Sequence, residues 1–136
     1  MPLNSRQKGA AGEREWAGFV RDTWGVNAYR GRQYHGRDDA PDVVSDLDGL
    51  HFEVKRVERL NIHDAWLQCF ADATPEQVPT VAFRRNRGEW MLTLKAADAE
   101  RFAMCLLDGI RGSARSGLPC APDRTASRAS GTGDLP

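Results

Sequence analysis

A carboxylate and an amine lie two residues apart in the segment LHFEVK, residues 50–55. Apolar and polar residues alternate through this segment, which predicts a β-strand with Glu53 and Lys55 on one face, next to His51. A carboxylate can hold a metal ion, and an ammonium group can offset negative charge that develops during a reaction. The alternative is a solvated charge pair on an amphipathic strand, which is a common pattern. The role of His51 stays unassigned.

A second carboxylate, Asp42, opens the preceding predicted strand. Asp48-Gly49 is a strong hairpin signal, so we expect the two strands to pair and to bring Asp42 near Glu53. Neighbouring carboxylates raise each other's pKa unless a cation compensates the charge, and oxygen ligands suit Mg²⁺. The two strands together therefore predict a divalent metal site.

Glu13 lies on the apolar stripe of the first predicted helix, residues 5–24. It precedes Trp16 by three residues and Val20 by seven, which is the spacing of one helix face. A carboxylate on the core-facing side needs a partner or a cation, so Glu13 is a further candidate for the site. The alternative is that its side chain reaches solvent from the helix edge. Glu15 faces another direction and is expected to be solvated.

The remaining pattern predicts an α/β domain. Asn61 can cap a second helix, and strands at 80–84 and 89–94 are joined by a hairpin at 86–88. A last helix is expected at 96–107. The predicted order is α-β-β-β-α-β-β-α, which indicates a mixed sheet with helices on both faces.

The chain has 136 residues, which is long enough for one domain with a hydrophobic core. Its net charge is zero. We assign this domain to residues 1–110, and we expect the Gly-, Ser- and Pro-rich residues 111–136 to be a disordered tail. Three widely spaced cysteines argue against a disulfide framework and a structural zinc site. No secretory leader or membrane-length apolar run is visible, so we expect a cytoplasmic protein with no membrane partner.

Pro41-Asp42 followed by Glu53-Val54-Lys55 resembles the motif of the PD-(D/E)xK nuclease superfamily. Within that superfamily, KGAAGERE at residues 8–15 is similar to the KGxxxERE segment that opens the archaeal-type Holliday-junction resolvases and their related phage enzymes. The resemblance covers residues 5 to about 95. It implies a restriction-endonuclease-like α-β-β-β-α-β core, with a mixed sheet flanked by helices.

The resemblance also implies roles for individual residues. The catalytic residues would be Glu13, Asp42, Glu53 and Lys55. Asp42, Glu53 and the Val54 carbonyl would hold Mg²⁺, with Mn²⁺ as a substitute and Glu13 as a direct or water-mediated ligand. Lys55 would orient the attacking water or offset charge on the phosphate, and the products would carry a 5′-phosphate and a 3′-hydroxyl. Gln68 is a candidate accessory residue, with a plain surface glutamine as the alternative.

DNA is the substrate that the resemblance implies. The candidate phosphate contacts are basic or aromatic residues of the first helix and the following loop: Arg6, Lys8, Arg14, Arg30, Arg32, Tyr34 and Arg37. Through residue 37 there are seven basic residues against three acidic ones, which favours such contacts, although solvated arginines would give the same count. Symmetric cutting of a branched junction implies a homodimer. The aromatic residues expected in the core or at the dimer interface are Trp66, Phe70, Phe83 and Trp90.

The sequence therefore predicts a Mg²⁺-dependent, structure-selective endodeoxyribonuclease acting on Holliday junctions or on double-stranded DNA in a bacterial or phage-infected cell. One alternative is a PD-(D/E)xK nuclease with another task, such as restriction, nicking or repair. The other is a non-catalytic DNA-binding module on a nuclease scaffold. The presence of all four candidate catalytic residues argues against the last alternative.

Overall fold

The computed structural model describes residues 5–31 and 41–116, with side chains described for 8–31 and 41–115. The elements in chain order are α1 (Ser5–Phe19) continuing as a π-helical turn (Val20–Trp24), β1 (Ala28–Arg30), β2 (Val43–Ser45), β3 (Leu50–Arg56), α2 (Ile62–Asp72), β4 (Val78–Arg84), β5 (Met91–Leu94), a 3-10 turn (Ala96–Asp98) and α3 (Ala99–Ser116). This succession confirms the predicted mixed α/β class. None of the helices in these ranges is long and apolar enough to cross a lipid bilayer.

The larger sheet has β4 at its centre. β3 runs parallel to β4 on one side, and β5 runs antiparallel to it on the other. Parallel neighbours require a crossover connection, and α2 supplies it. The predicted hairpin between β4 and β5 is confirmed: Gly88 donates its backbone N–H to the Arg85 carbonyl at 3.0 Å, and Arg87 adopts a left-handed φ of 60°.

The ends of two helices follow signals in the sequence. The π-helical turn after α1 stops at Gly25, whose φ of 67° is easily adopted by glycine, and the Gly25 N–H donates to the Arg21 carbonyl at 3.1 Å. Asn61 caps α2 as predicted, because its side-chain oxygen accepts the backbone N–H of Asp64 at 3.1 Å.

An aromatic cluster around Trp16 fills the core between α1 and one face of the larger sheet. Trp16 is fully buried, and its ring centroid lies 5.1 Å from Phe19, 5.5 Å from Trp24, 5.3 Å from Phe52 and 5.1 Å from Trp90. This packing fixes α1 over β3 and leaves alternate residues of β3 facing the other way. Trp90 is partly buried and packs against this core.

The opposite face of the sheet is covered by α2. Ala65 and Cys69 on this helix are buried against Val81 of β4. Trp66 is half-buried and stacks on Phe70 at 5.3 Å, while Phe70 itself stays 58% exposed. Helices on both faces were predicted, and the structure confirms this layer order.

The predicted pairing of β2 with β3 is wrong. β2 instead pairs antiparallel with β1, and the described residues show no ladder between β2 and β3. The turn at Asp48-Gly49 does form, with the Leu50 N–H donating to the Leu47 carbonyl at 3.0 Å. Leu47 is buried in the core and packs so closely on Gly109 that a side chain there would clash. This turn, anchored by Leu47, therefore leads the chain from one sheet to the other.

The last helix extends past the expected end of the domain at residue 110. It continues to Ser116, so residues 111–116 are helical. Residues 117–136, which carry the rest of the expected tail, lie outside the described residues.

Candidate functional site

β3 presents the polar residues of its LHFEVK segment to α2. Because Phe52 faces Trp16 and α1, its neighbours His51 and Glu53 point to the opposite face, as predicted. They are only 8% and 6% exposed, since α2 lies over them. The alternative of a solvated strand face is therefore excluded for these two residues.

Asp42 reaches β3 although β2 does not pair with it. One carboxylate oxygen, Oδ2, accepts the backbone N–H of Val54 at 3.1 Å. Val54 lies between Glu53 and Lys55 in the chain, so the Asp42 carboxylate is held at the middle of the Glu-x-Lys motif. Asp42 is therefore close to the Glu-x-Lys segment, as expected, and the hydrogen bond from the Val54 backbone to its side chain holds it there.

Lys55 connects β3 with α2. Its Nζ lies 3.1 Å from Glu53 Oε1 and donates to Gln68 Oε1, also at 3.1 Å. Gln68 is exposed, and its amide oxygen contacts this ammonium group, while its accessory role stays a prediction. Lys55 is thereby held between a buried carboxylate and a neutral acceptor.

The charge distribution favours a cation at this site. Burial raises the pKa of the Glu53 carboxyl, and the nearby Asp42 charge raises it further, while the hydrogen bond and charge of Lys55 oppose both effects. The folded chain therefore pays an electrostatic penalty for ionised Glu53 beside Asp42. A bound divalent cation would remove this penalty, and carboxylate oxygens are suitable ligands for Mg²⁺ or Mn²⁺.

Two further groups that the sequence did not assign lie against Glu53. One ligand atom each from His51, Glu53 and Asp72 can be chosen so that all three lie within 4.8 Å of one another. Burial lowers the pKa of the His51 imidazole, and the Asp72 and Asp42 charges partly oppose this shift. Asp72 lies one helical turn after Gln68 on α2, and this spacing is the signal that could have identified it.

Cys69 lies next to this group but is not a metal-ligand candidate. Its thiol is fully buried and donates to the His51 carbonyl at 3.6 Å. Burial raises the thiol pKa to about 12. The sulfur therefore stays protonated at neutral pH, and a protonated thiol is a poor ligand and nucleophile.

Glu13 is buried and forms an ion pair with Arg30. Arg30 lies opposite Val43 in the pairing of β1 with β2, and Gly31 donates its N–H to the Asp42 carbonyl at 3.0 Å. A carboxylate on the apolar stripe needs a partner, and for Glu13 this partner is Arg30. The ion pair lies at the end of β2 that is next to Asp42. The role of Glu13 as a metal ligand, and the role of Arg30 as a phosphate contact, stay predictions.

The other candidate DNA contacts are only partly described. Lys8 is half-buried and Arg14 is exposed on α1. The side chain of Arg6 and the whole of Arg32, Tyr34 and Arg37 lie outside the described residues.

The expectation that Glu15 is solvated is wrong. Its carboxylate lies 3.2 Å from Arg56 Nη1 and 3.7 Å from Arg84 Nη1, because α1 crosses the ends of β3 and β4 where these arginines stand. Arg84 also lies over the Trp90 ring at 5.6 Å. Glu15 therefore neutralises a pair of basic residues instead of facing water alone.

Comparison with known proteins gives one match. A family model described as "Phage putative PDDEXK endonuclease" matches residues 4–104, which is most of the chain. No curated protein and no solved structure shows significant similarity to this chain. The matched range includes α1, the Asp42 segment, β3 and α2.

Proposed function

The chain belongs to the family of phage PD-(D/E)xK endonucleases and is a nuclease of that type, and from this premise we propose that it is a Mg²⁺-dependent, structure-selective endodeoxyribonuclease that resolves four-way DNA junctions. The observation that carries the catalytic part is the hydrogen bond from the Val54 N–H to Asp42, which holds one carboxylate beside Glu53 and Lys55. A degenerate binding module would have no need to keep these groups together.

Asp42 and Glu53 are the residues that would hold the metal ion. The penalty for ionised Glu53 in its buried position supports a cation as the partner of these carboxylates. In an extended strand the N–H and C=O of one residue point to the same side, so the Val54 carbonyl faces the same edge as the Asp42 carboxylate. This direction supports the carbonyl as a third ligand. Glu13 would contribute through water from its position next to Arg30.

A divalent ion held there would supply a more acidic water and would polarise a phosphate oxygen. The chain itself supplies the positioning. Lys55, fixed by Glu53 and Gln68, keeps an ammonium group at the site where negative charge would develop on the phosphate. Gln68 is a positioning residue, because it acts on the substrate through Lys55.

The preference for branched DNA rests on the similarity of KGAAGERE at residues 8–15 to junction resolvases. The exposed Arg14 in this segment supports a backbone phosphate contact, which carries no sequence information. The same proposal places the enzyme in the cytoplasm of a bacterial or phage-infected cell. A related nuclease with a linear, nicked or flapped substrate is the second candidate, because the site geometry serves any phosphodiester.

We also propose that the working form is a homodimer. A junction presents two symmetric strands, and a twofold dimer presents two copies of one site. Exposed apolar residues on α2, namely Ile62, Leu67 and Phe70, support this proposal. Light scattering should give twice the chain mass; a monomer that resolves junctions would remove the dimer from the proposal.

A panel of substrates tests the junction preference. Purified full-length protein is incubated with Mg²⁺ and with labelled four-way junction, linear duplex, flap and single-stranded DNA of matched length. We expect paired cuts in the junction and little cleavage of the linear duplex. Equal cutting of junction and linear duplex would favour the second candidate, and binding without any cutting would favour the non-catalytic module.

A further inference from the structure

A polar group outside the PD-(D/E)xK motif lies beside the proposed metal site. It consists of the His51 imidazole and the carboxylates of Glu53 and Asp72, whose ligand atoms can all lie within 4.8 Å of one another. Metal bonds to imidazole nitrogen and carboxylate oxygen are about 2.0–2.2 Å long, so two ligand atoms on one ion lie at most about 4.4 Å apart. The three groups are therefore close to the spacing of a metal-ligand set.

His51 is the independent observation that points to a ligand. Its side chain belongs to a residue only 8% exposed, and among the described residues no hydrogen-bond partner of the imidazole is found. The backbone carbonyl of His51 is occupied by the Cys69 thiol, but the ring is not. Within the described ranges no side chain occupies the imidazole nitrogens, and a neutral imidazole is the commonest protein ligand of metal ions.

The group differs from the Asp42 position. The Asp42 carboxylate belongs to the segment before β2 and accepts the Val54 N–H, whereas Asp72 is the last residue of α2. The charges of both carboxylates act on Glu53, and Asp42 is not a member of the three-residue group. One carboxylate is thus available to two neighbouring positions.

We propose that His51, Glu53 and Asp72 form a second metal position that takes an imidazole-accepting divalent transition metal such as Mn²⁺. Mg²⁺ prefers oxygen ligands, whereas an imidazole with carboxylates suits Mn²⁺ and the later transition metals. The inference rests on the proposed nuclease function, because it makes Glu53 a ligand shared with the Asp42 position. It assigns to His51 and Asp72 a function that the PD-(D/E)xK motif does not contain.

Electron spin-echo spectroscopy of the Mn²⁺-loaded, full-length protein tests the His51 ligand directly, because a coordinated imidazole imposes a nitrogen modulation on the Mn²⁺ signal. We expect this modulation in the wild type, its loss in His51→Gln and its retention in His63→Gln. His63 is the matched control, since it is exposed on α2 and belongs to no such ligand group in the described part of the chain. No modulation in the wild type, or an unchanged one in His51→Gln, overturns the proposal.

Asp72→Asn provides a second variant whose folding is not in question. Asp72 is exposed at the end of α2, where removal of a negative charge is tolerated by the helix dipole. Loss of a direct ligand should weaken Mn²⁺ binding in calorimetry by at least the about 10–100-fold typical of an outer-shell partner. Unchanged affinity in Asp72→Asn overturns the proposed ligand set.

The same samples separate this inference from the nuclease proposal. If the wild type shows the His51-dependent nitrogen modulation but cuts no DNA, the metal position stands and the nuclease proposal fails. If it cuts DNA without such a modulation, the nuclease proposal stands and the second position fails.

Discussion

The Asp42 carboxylate accepts the backbone N–H of Val54 at 3.1 Å, and Val54 is the residue between Glu53 and Lys55 in β3. β2 carries Asp42 into this position without pairing with β3. A single side chain to backbone hydrogen bond therefore joins the two halves of the PD-(D/E)xK motif. The predictions below follow from this contact and from the groups around it.

Lys55→Met should impair cleavage without loss of DNA binding. The ammonium group is held by Glu53 and Gln68 where charge would develop in the reaction, and removal of one such electrostatic group typically costs about 10²–10³-fold in turnover. Gln68→Ala should cause a smaller loss, because Lys55 is then fixed by Glu53 alone. Single-turnover cleavage and gel-shift binding are measured side by side.

Lys95→Met is the matched control for this comparison, since Lys95 is exposed before the 3-10 turn and outside the site. It should cleave like the wild type. Wild-type turnover by Lys55→Met would show that this ammonium group has no part in the chemistry.

Glu53→Gln should stabilise the metal-free protein at neutral pH. The folded state raises the pKa of Glu53 above its ordinary 4.5, so folded chains hold this proton more tightly than unfolded ones. Stability therefore falls as pH rises from about 4.5 through the raised pKa, and a glutamine does not undergo this loss. Thermal unfolding in a chelator should give the variant a higher Tm at pH 7, and this advantage should vanish below pH 4.5.

Addition of Mg²⁺ should reverse the order of the Tm values of the wild type and Glu53→Gln. An ion that binds only the folded state stabilises it, so the wild type should gain in Tm and the variant much less. A variant that is less stable than the wild type in chelator at pH 7 would contradict the charge penalty at Glu53.

Local signals in the sequence were enough to predict most of the helices and strands. The Asn61 cap, the turn at Gly25 and the alternation through β3 are local signals, and each has the predicted structure. The pairing of β2 was not predictable, because a turn at Asp48-Gly49 does not determine which strand edge its neighbours join. That choice depends on the burial of Leu47, which is a property of the whole core.

In the candidate site too, some features follow from local sequence signals and others from long-range packing. The sequence placed His51, Glu53 and Lys55 on one face because strand geometry alone requires it. The contributions of Gln68 and Asp72 depend on how α2 lies over β3, and the crossover is a long-range feature. The pairing of Glu15 with two arginines likewise depends on where α1 crosses the sheet.

Glu13→Gln and Arg30→Gln should destabilise the fold by similar amounts. The Glu13 and Arg30 side chains are only 9% and 18% exposed, and leaving one charged partner buried costs about 1–3 kcal/mol. The double variant should recover part of the loss, because no unpaired charge remains. Chemical denaturation of all four proteins measures the coupling; strict additivity would show that the ion pair contributes nothing.

Calorimetric titration with Mg²⁺ distinguishes a structural role of Glu13 from a metal-binding role. Glu13→Gln should weaken Mg²⁺ binding if its carboxylate serves the ion, whereas Arg30→Gln should not, because it removes a positive charge near the site. Equal Mg²⁺ affinity in the wild type and both variants would confine Glu13 to the ion pair.

The most direct test of the central claim is Mg²⁺-dependent cleavage of a labelled four-way junction by the wild type, Asp42→Asn and Asp48→Asn. Asp48 is exposed in the turn after β2 and is not one of the candidate site residues, so it controls for the loss of one carboxylate in this segment. We predict cutting by the wild type and Asp48→Asn, and no cutting by Asp42→Asn although it still binds the junction. Cleavage by Asp42→Asn at the wild-type rate would contradict the proposed metal site, and absence of cleavage by the wild type with Mg²⁺ or Mn²⁺ would contradict the proposed activity.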